Sequence, residues 1–200
     1  MTGVYYASLQ ELKQALQIGD AASDVDLERA LEASARWIDA HCGRVFSLQE
    51  AQTKEYYPDG TERLEVVDLV SVDSITIDTV GDRSYATTLL TTDYELWPLD
   101  GPPYQEVRIW PLSRTRSFSP GRRVRVVGDF GCTVDGQAPV EVRQANLLQA
   151  ARYYKRVTEA PFGVLSAVDL GTFQRIAKED PDVATLLQPW SLTGSGWVMV

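Results

Sequence analysis

The stretch Ala138-Pro-Val-Glu-Val-Arg-Gln-Ala-Asn-Leu-Leu-Gln-Ala-Ala-Arg-Tyr-Tyr-Lys-Arg-Val-Thr158 decides the fold. It follows a β-branched run that ends in a glycine-bounded turn, Val124-Arg-Val-Val-Gly-Asp-Phe-Gly-Cys132. Pro139 suits a first helical turn, where a missing N–H costs nothing. From there Val142, Ala145, Leu148 or Gln149, and Ala151 or Arg152 recur near helical spacing, so one face is apolar. An upstream counterpart opens at Asp24 and Asp26: Leu27, Leu31, Ala35, Ile38 and Cys42 recur at helical intervals until Gly43 stops the run. The apolar face of this helix, with Trp37 and Ile38, is expected to meet that of Leu148 and Tyr154. A shorter helix precedes it, in which Ser8 and Glu11 have capping-box spacing and Gly19 marks the end.

Between the two long helices the periodicity changes from helix to strand. Six short strands are predicted: residues 53–57, 63–68, 74–78, 94–98, 106–110 and 123–128. Val107, Ile109, Val124 and Val126 alternate with Glu106, Arg108, Arg123 and Arg125, as in a sheet with one face buried and one wet. The pattern predicts an α+β chain with a small antiparallel meander or sandwich. A helical extension is expected over 159–200, including a short helix at 169–179 and a segment started by Asp180, Pro181 and Asp182. Its apolar residues, Trp190 and Trp197 among them, are too many to stay wet in a detached arm. They are expected to pack on their own core or on a neighbouring subunit.

Composition narrows the classes. With 200 residues and 44% hydrophobic content the chain is able to bury one substantial core. No apolar run approaches the length of a membrane span, and Met1–Lys13 lacks signal-peptide character, so a cytosolic product without membrane contact is expected. Cys42 and Cys132 lie far apart and read as buried thiols. His41 is the one histidine, and its neighbour Cys42 projects about 100° away on a helix, so the two make no dyad. No phosphate-binding, dinucleotide, nucleophile-elbow or zinc motif is present. Glu55 with Asp59 and Asp93 with Glu95 read as turn and strand-face charges. No catalytic, cofactor or metal residue is therefore expected, and an acid-based hydrolase is the least favoured class.

Charge is segregated. The chain has 28 acids against 19 bases, a formal net charge of −9, yet Arg108, Arg114, Arg116, Arg122, Arg123 and Arg125 follow one another with no acid between them. The loop Pro111–Gly121, with Arg114, Arg116 and Phe118 and followed by Arg122 and Arg123, is a candidate contact with an acidic protein surface or with DNA phosphate. A solvated hairpin tip is the simpler alternative. Overall acidity argues against tight duplex binding and is what plain solubility would give.

Four segments, touching about residues 5 to 190, resemble the head-to-tail connector (adaptor) family of tailed phages. Ala35–Phe46 is similar to the family's second helix with its Gly-Arg-x-Phe step, here Gly43, Arg44, Val45 and Phe46. Tyr56–Asp78 resembles its Asp-Gly turn between strands. Val124–Cys132 with Pro139–Arg156 resembles its last strand, glycine turn and Pro-initiated helix, and Asp180–Trp190 its closing segment. The loop at 111–121 and the 197–200 terminus depart from the family pattern. The resemblance implies a connector domain at 1–158 and an extension at 159–200 packed on it or on a neighbour. It also implies a virion neck protein, made in the host cytoplasm, that forms a ring, a dodecamer by resemblance, beneath the portal. The implied partners are the chain itself, the portal protein and a further neck or tail-joining protein, with DNA passing through the ring without sequence-specific binding. A monomeric binding module or small assembly factor is the alternative.

Overall fold

A computed structural model describes residues 5–113, 115, 117–158, 164–167, 172–175 and 180–192. Helices and an antiparallel sheet are segregated along the chain, as in an α+β fold. Contacts divide the chain into two units, residues 1–43 with 138–200, and residues 44–137. The boundary drawn at 158 from sequence does not coincide with these breaks, because the long helix after Ala138 packs with elements on both sides of it in the chain.

The first unit begins with α1 (Leu9–Leu16), where Ser8 and Glu11 form the expected reciprocal capping box. Gln17, not Gly19, ends it: Gln17 takes the left-handed conformation (φ 58°) and the Ile18 N–H closes on the Lys13 carbonyl at 2.9 Å. Helix α2 (Asp24–Cys42) stops at Gly43 in the left-handed region, and Leu27, Leu31, Ala35, Ile38 and Cys42 are all buried as their spacing predicts. Trp37 is half-buried and stacks on His41, ring centroids 4.9 Å apart.

Helix α3 (Val140–Thr158) starts one residue after Pro139, whose carbonyl accepts the Arg143 N–H. Its buried positions are Val142, Ala145, Asn146, Gln149 and Ala150. Leu148, expected in the core, is 37% exposed. The reason is angular: at about 100° per residue Gln149 falls nearly in line with Val142, whereas Leu148 lies on another face. Asn146 joins three segments, its Oδ1 accepting the Tyr6 and Ala7 N–H groups at 3.2 and 3.0 Å and its Nδ2 donating to the Leu31 carbonyl at 3.1 Å. Ser34 donates to the Asn146 carbonyl.

Beyond α3 the described chain forms a hairpin, β8 (Val164–Ala167) with β9 (Thr172–Arg175), and then α4 (Pro181–Leu187), followed by a 3₁₀ turn at Gln188–Trp190. The helix expected at 169–179 is therefore corrected over 172–175, where Thr172 and Phe173 pair with Ala167 and Ser166 as strand. Asp180 caps α4 through the Asp182 N–H, as the sequence suggested. Val183 and Leu187 are buried, and Asp180 lies 3.7 Å from Arg152 of α3.

The second unit is a seven-stranded antiparallel sheet: β1 (Gln49–Tyr56), β2 (Arg63–Leu69), β3 (Ser74–Ile77), β4 (Thr87–Leu89), β5 (Tyr94–Trp97), β6 (Tyr104–Ile109) and β7 (Val124–Phe130). The spatial order is β4-β3-β7-β2-β6-β5, with β1 on the other side of β7. A meander would keep neighbours sequential, but here β7, the last of these seven strands in sequence, is the hub that β1, β3 and β2 all pair with. Strand β4 escaped the sequence reading because it is three residues long. Val107, Ile109, Val124 and Val126 point into the core with Leu64, Val66, Ile75 and Phe130. Gly128 is required by close approach, since a Cβ there would lie 2.0 Å from the Ser71 carbonyl oxygen.

Candidate interaction surfaces

The two halves of the Gly-Arg-x-Phe step have physical roles inside the second unit. Phe46 is fully buried, and Arg44 grips the carboxylate of Asp68 with both prongs, Nε to Oδ2 at 2.9 Å and Nη2 to Oδ1. Asp68 is almost fully buried and takes a third donor from Gln105 at 3.0 Å. It sits where the β2–β6 register shifts, with φ at 53°, so the bulge turns the carboxylate toward Arg44. The sequence reading missed Asp68 because nothing in the alternation of β2 distinguishes a bulged residue. Cys132 lies near this pair, and burial pushes its thiol up to about 11. Cys42, in the other unit, is also buried.

The arginine-rich stretch divides into residues with partners inside the second unit and residues outside the described set. Arg123 and Arg125 both pair with Glu55, opposite on β1, at 3.2 and 2.9 Å. Arg123 lies over the Tyr57 ring and Arg125 over that of Tyr85, 5.1 and 3.7 Å from the centroids. The Arg125 hydrogen bond is the main cause that lowers the Glu55 carboxyl below its ordinary range. Arg108 pairs with Glu106 at 2.7 Å and stacks over Trp97. Arg122 donates to the Val80 carbonyl at 2.6 Å and fills the space a side chain at Gly81 would need. Two arginines of a stretch with no acid in sequence are thus met by one acid across the sheet, because strand pairing brings together residues about 70 apart.

Phe118 is corrected from loop tip to core: it is fully buried among the sheet residues, and its N–H donates to the Thr61 carbonyl at 2.9 Å. Ser113 is likewise anchored, donating to Asp93 at 2.8 Å. Arg114, Arg116 and Trp197 lie outside the described residues, and Trp190 is half-buried in the 3₁₀ turn after α4. The exposed apolar side chains of this unit include Leu90, Leu99, Trp110 and Leu112, the last 88% exposed.

Among the described residues no three His, Cys, Asp or Glu side chains gather as a metal site would require, and no described helix is long and apolar enough to cross a membrane. His41 stacks on Trp37.

No family model and no curated protein matches the chain. Solved structures do. A chain in the neck of an empty gene transfer agent (GTA) particle, computed with C6 symmetry, is 18% identical with a TM-score of 0.56, covering 98% of this chain and 91% of that one. Chains in the neck of the native GTA particle, computed with C12 symmetry, and in the native GTA virion are each 19% identical, with TM-scores of 0.51 and 0.50 and the same coverage. At these identities the likeness is one of fold: the chain has the α+β fold of a GTA neck chain over nearly its whole length. That fold agrees with the connector resemblance drawn from the four sequence segments.

Proposed function

We propose that this protein is a head-to-tail connector subunit of a phage-like particle, assembling as a ring beneath the portal and lining the channel through which DNA passes. The observation that carries this reading is the extent of the fold likeness, 98% of this chain against 91% of a chain in a GTA neck. Neck structures computed with C6 and C12 symmetry make a ring the natural assembly, and a subunit that contacts its neighbour head to tail closes into one. The role is structural rather than catalytic, and the location is the virion neck after assembly in the host cytoplasm. Portal on one side and a further neck or tail-joining protein on the other are the implied partners. The net charge of −9 suits a lumen along which DNA slides without adhering.

A mass measurement of the purified protein, alone over a range of concentrations and with a portal, tests the reading. Ring formation at high concentration or on the portal is the expected result, since a template raises effective concentration. Monomeric behaviour throughout, with no portal binding, refutes it.

A further inference from the structure

Within the first unit, α2 and α3 leave a groove of about 420 Å³ between them. Its lining is small, aromatic and aliphatic: Ala30 and Ala33 from α2, Tyr153 and Val157 from α3. Three charges stand on its lip. Asp26 and Arg29 lie 3.3 Å apart and offset each other, and Arg156 adds a second guanidinium, so the groove is apolar inside with an excess of positive charge at the edge. Its complement is an aliphatic side chain next to a carboxylate.

The second unit of the same chain carries such a pair. The β5–β6 hairpin is closed by the Trp97–Glu106 pairing, and beyond it the tip presents Leu99, 66% exposed, with exposed Asp100 beside it. Two other exposed apolar residues of this unit fit less well. Leu112 has no carboxylate beside it, the nearest in sequence being Glu106 and Asp129. Val134 has Asp135 beside it, but that carboxylate already holds the Gln137 N–H at 3.0 Å.

We propose that the Leu99–Asp100 tip of one copy docks in the α2–α3 groove of the next, Leu99 entering between Ala33 and Val157 and Asp100 meeting Arg156. The proposal rests on the ring reading, in which one chain must offer both a protruding and a receiving surface. A tip and a groove are different surfaces of one chain, which allows the head-to-tail contact that a ring needs.

The test is a charge swap in the full-length chain: Arg156→Asp, Asp100→Arg, and the two together, followed by sedimentation at rising concentration with and without a portal. Both positions are exposed, so circular dichroism should show an unchanged fold. Each single substitution is expected to weaken self-association about tenfold or more, and the double variant to regain most of the loss, which a purely structural role would not produce. Leu99→Ala should weaken assembly without touching charge. Wild-type rings with both single variants assembling normally overturn the groove assignment while the ring reading stands. Weakening by Arg156→Asp but not by Asp100→Arg means that another segment of the neighbouring copy meets the groove and overturns the choice of the 99–100 tip. Failure of the wild type to assemble, even on a portal, removes the ring reading and this contact with it.

Discussion

Replacing Asn146 by Ala should destabilise the first unit by about 3 kcal/mol, and the structure shows where that figure arises. The side chain is fully buried. Its Oδ1 is the acceptor for the buried Ala7 N–H and the half-buried Tyr6 N–H. A buried donor left without a partner costs about 1–3 kcal/mol, and the Tyr6 group belongs at the lower end of that range. The Leu31 carbonyl loses a second donor but keeps its place in the α2 ladder, so its loss is small. The space left by the amide adds a modest cavity cost. Together these give about 2–4 kcal/mol, a large share of a typical domain stability of about 5–15 kcal/mol. Urea unfolding measures the total, and amide hydrogen exchange at Ala7 isolates the mechanism, because that N–H should lose its protection first. Leu148→Ala, two positions along the helix, should cost only about 1 kcal/mol or less because the side chain is partly in water. A loss below about 0.5 kcal/mol for Asn146→Ala, with Ala7 still protected, or a larger loss for Leu148→Ala, would show the hub to be misassigned.

Phe118→Ala should cost about 3–5 kcal/mol in urea unfolding, since the ring is core; an unchanged melt accompanied by an assembly defect would return it to the contact loop. Asp39→Asn should stabilise the protein at neutral pH. Burial raises the Asp39 carboxyl above its ordinary range, against the opposing pull of the Tyr6 hydroxyl at 2.5 Å and of Arg36. Stability linked to the neutral form is therefore present below the unfolded-state value of about 3.9 and lost as pH rises through the raised folded value. The variant's advantage should thus fade as pH falls, and melts from pH 3 to 8, a range spanning about 3.9 on both sides, check it; an advantage independent of pH would count against burial as its cause. Replacing Arg114 and Arg116 together by Glu should leave the fold intact and weaken assembly in a salt-dependent way if the loop meets acids on a neighbour or on the portal. Intact rings with altered DNA retention would assign the loop to DNA, and normal particles would make it a solvated hairpin.

The sequence by itself determined what depends on neighbours along the chain. Ser8 and Glu11 specify a capping box because their reach is one helical turn, Gly43 ends α2 because a left-handed residue is needed there, and the period-two alternation of 107–109 and 123–126 settles which side chains face the core. Tertiary structure decided what depends on pairing across distance. No local pattern makes β7 the hub of the sheet, puts Glu55 between Arg123 and Arg125, or turns Asp68 at a bulge toward Arg44. Asn146 and Gln149 are buried where a hydrophobic reading prefers Leu148, because a polar side chain enters a core once partners from other segments are there to bond it, as Tyr6, Ala7 and Leu31 bond Asn146. The arginine-rich stretch shows the same division: its composition is local and legible, but whether each guanidinium is spent inside the subunit or left to meet a partner is settled by which strand folds beside it.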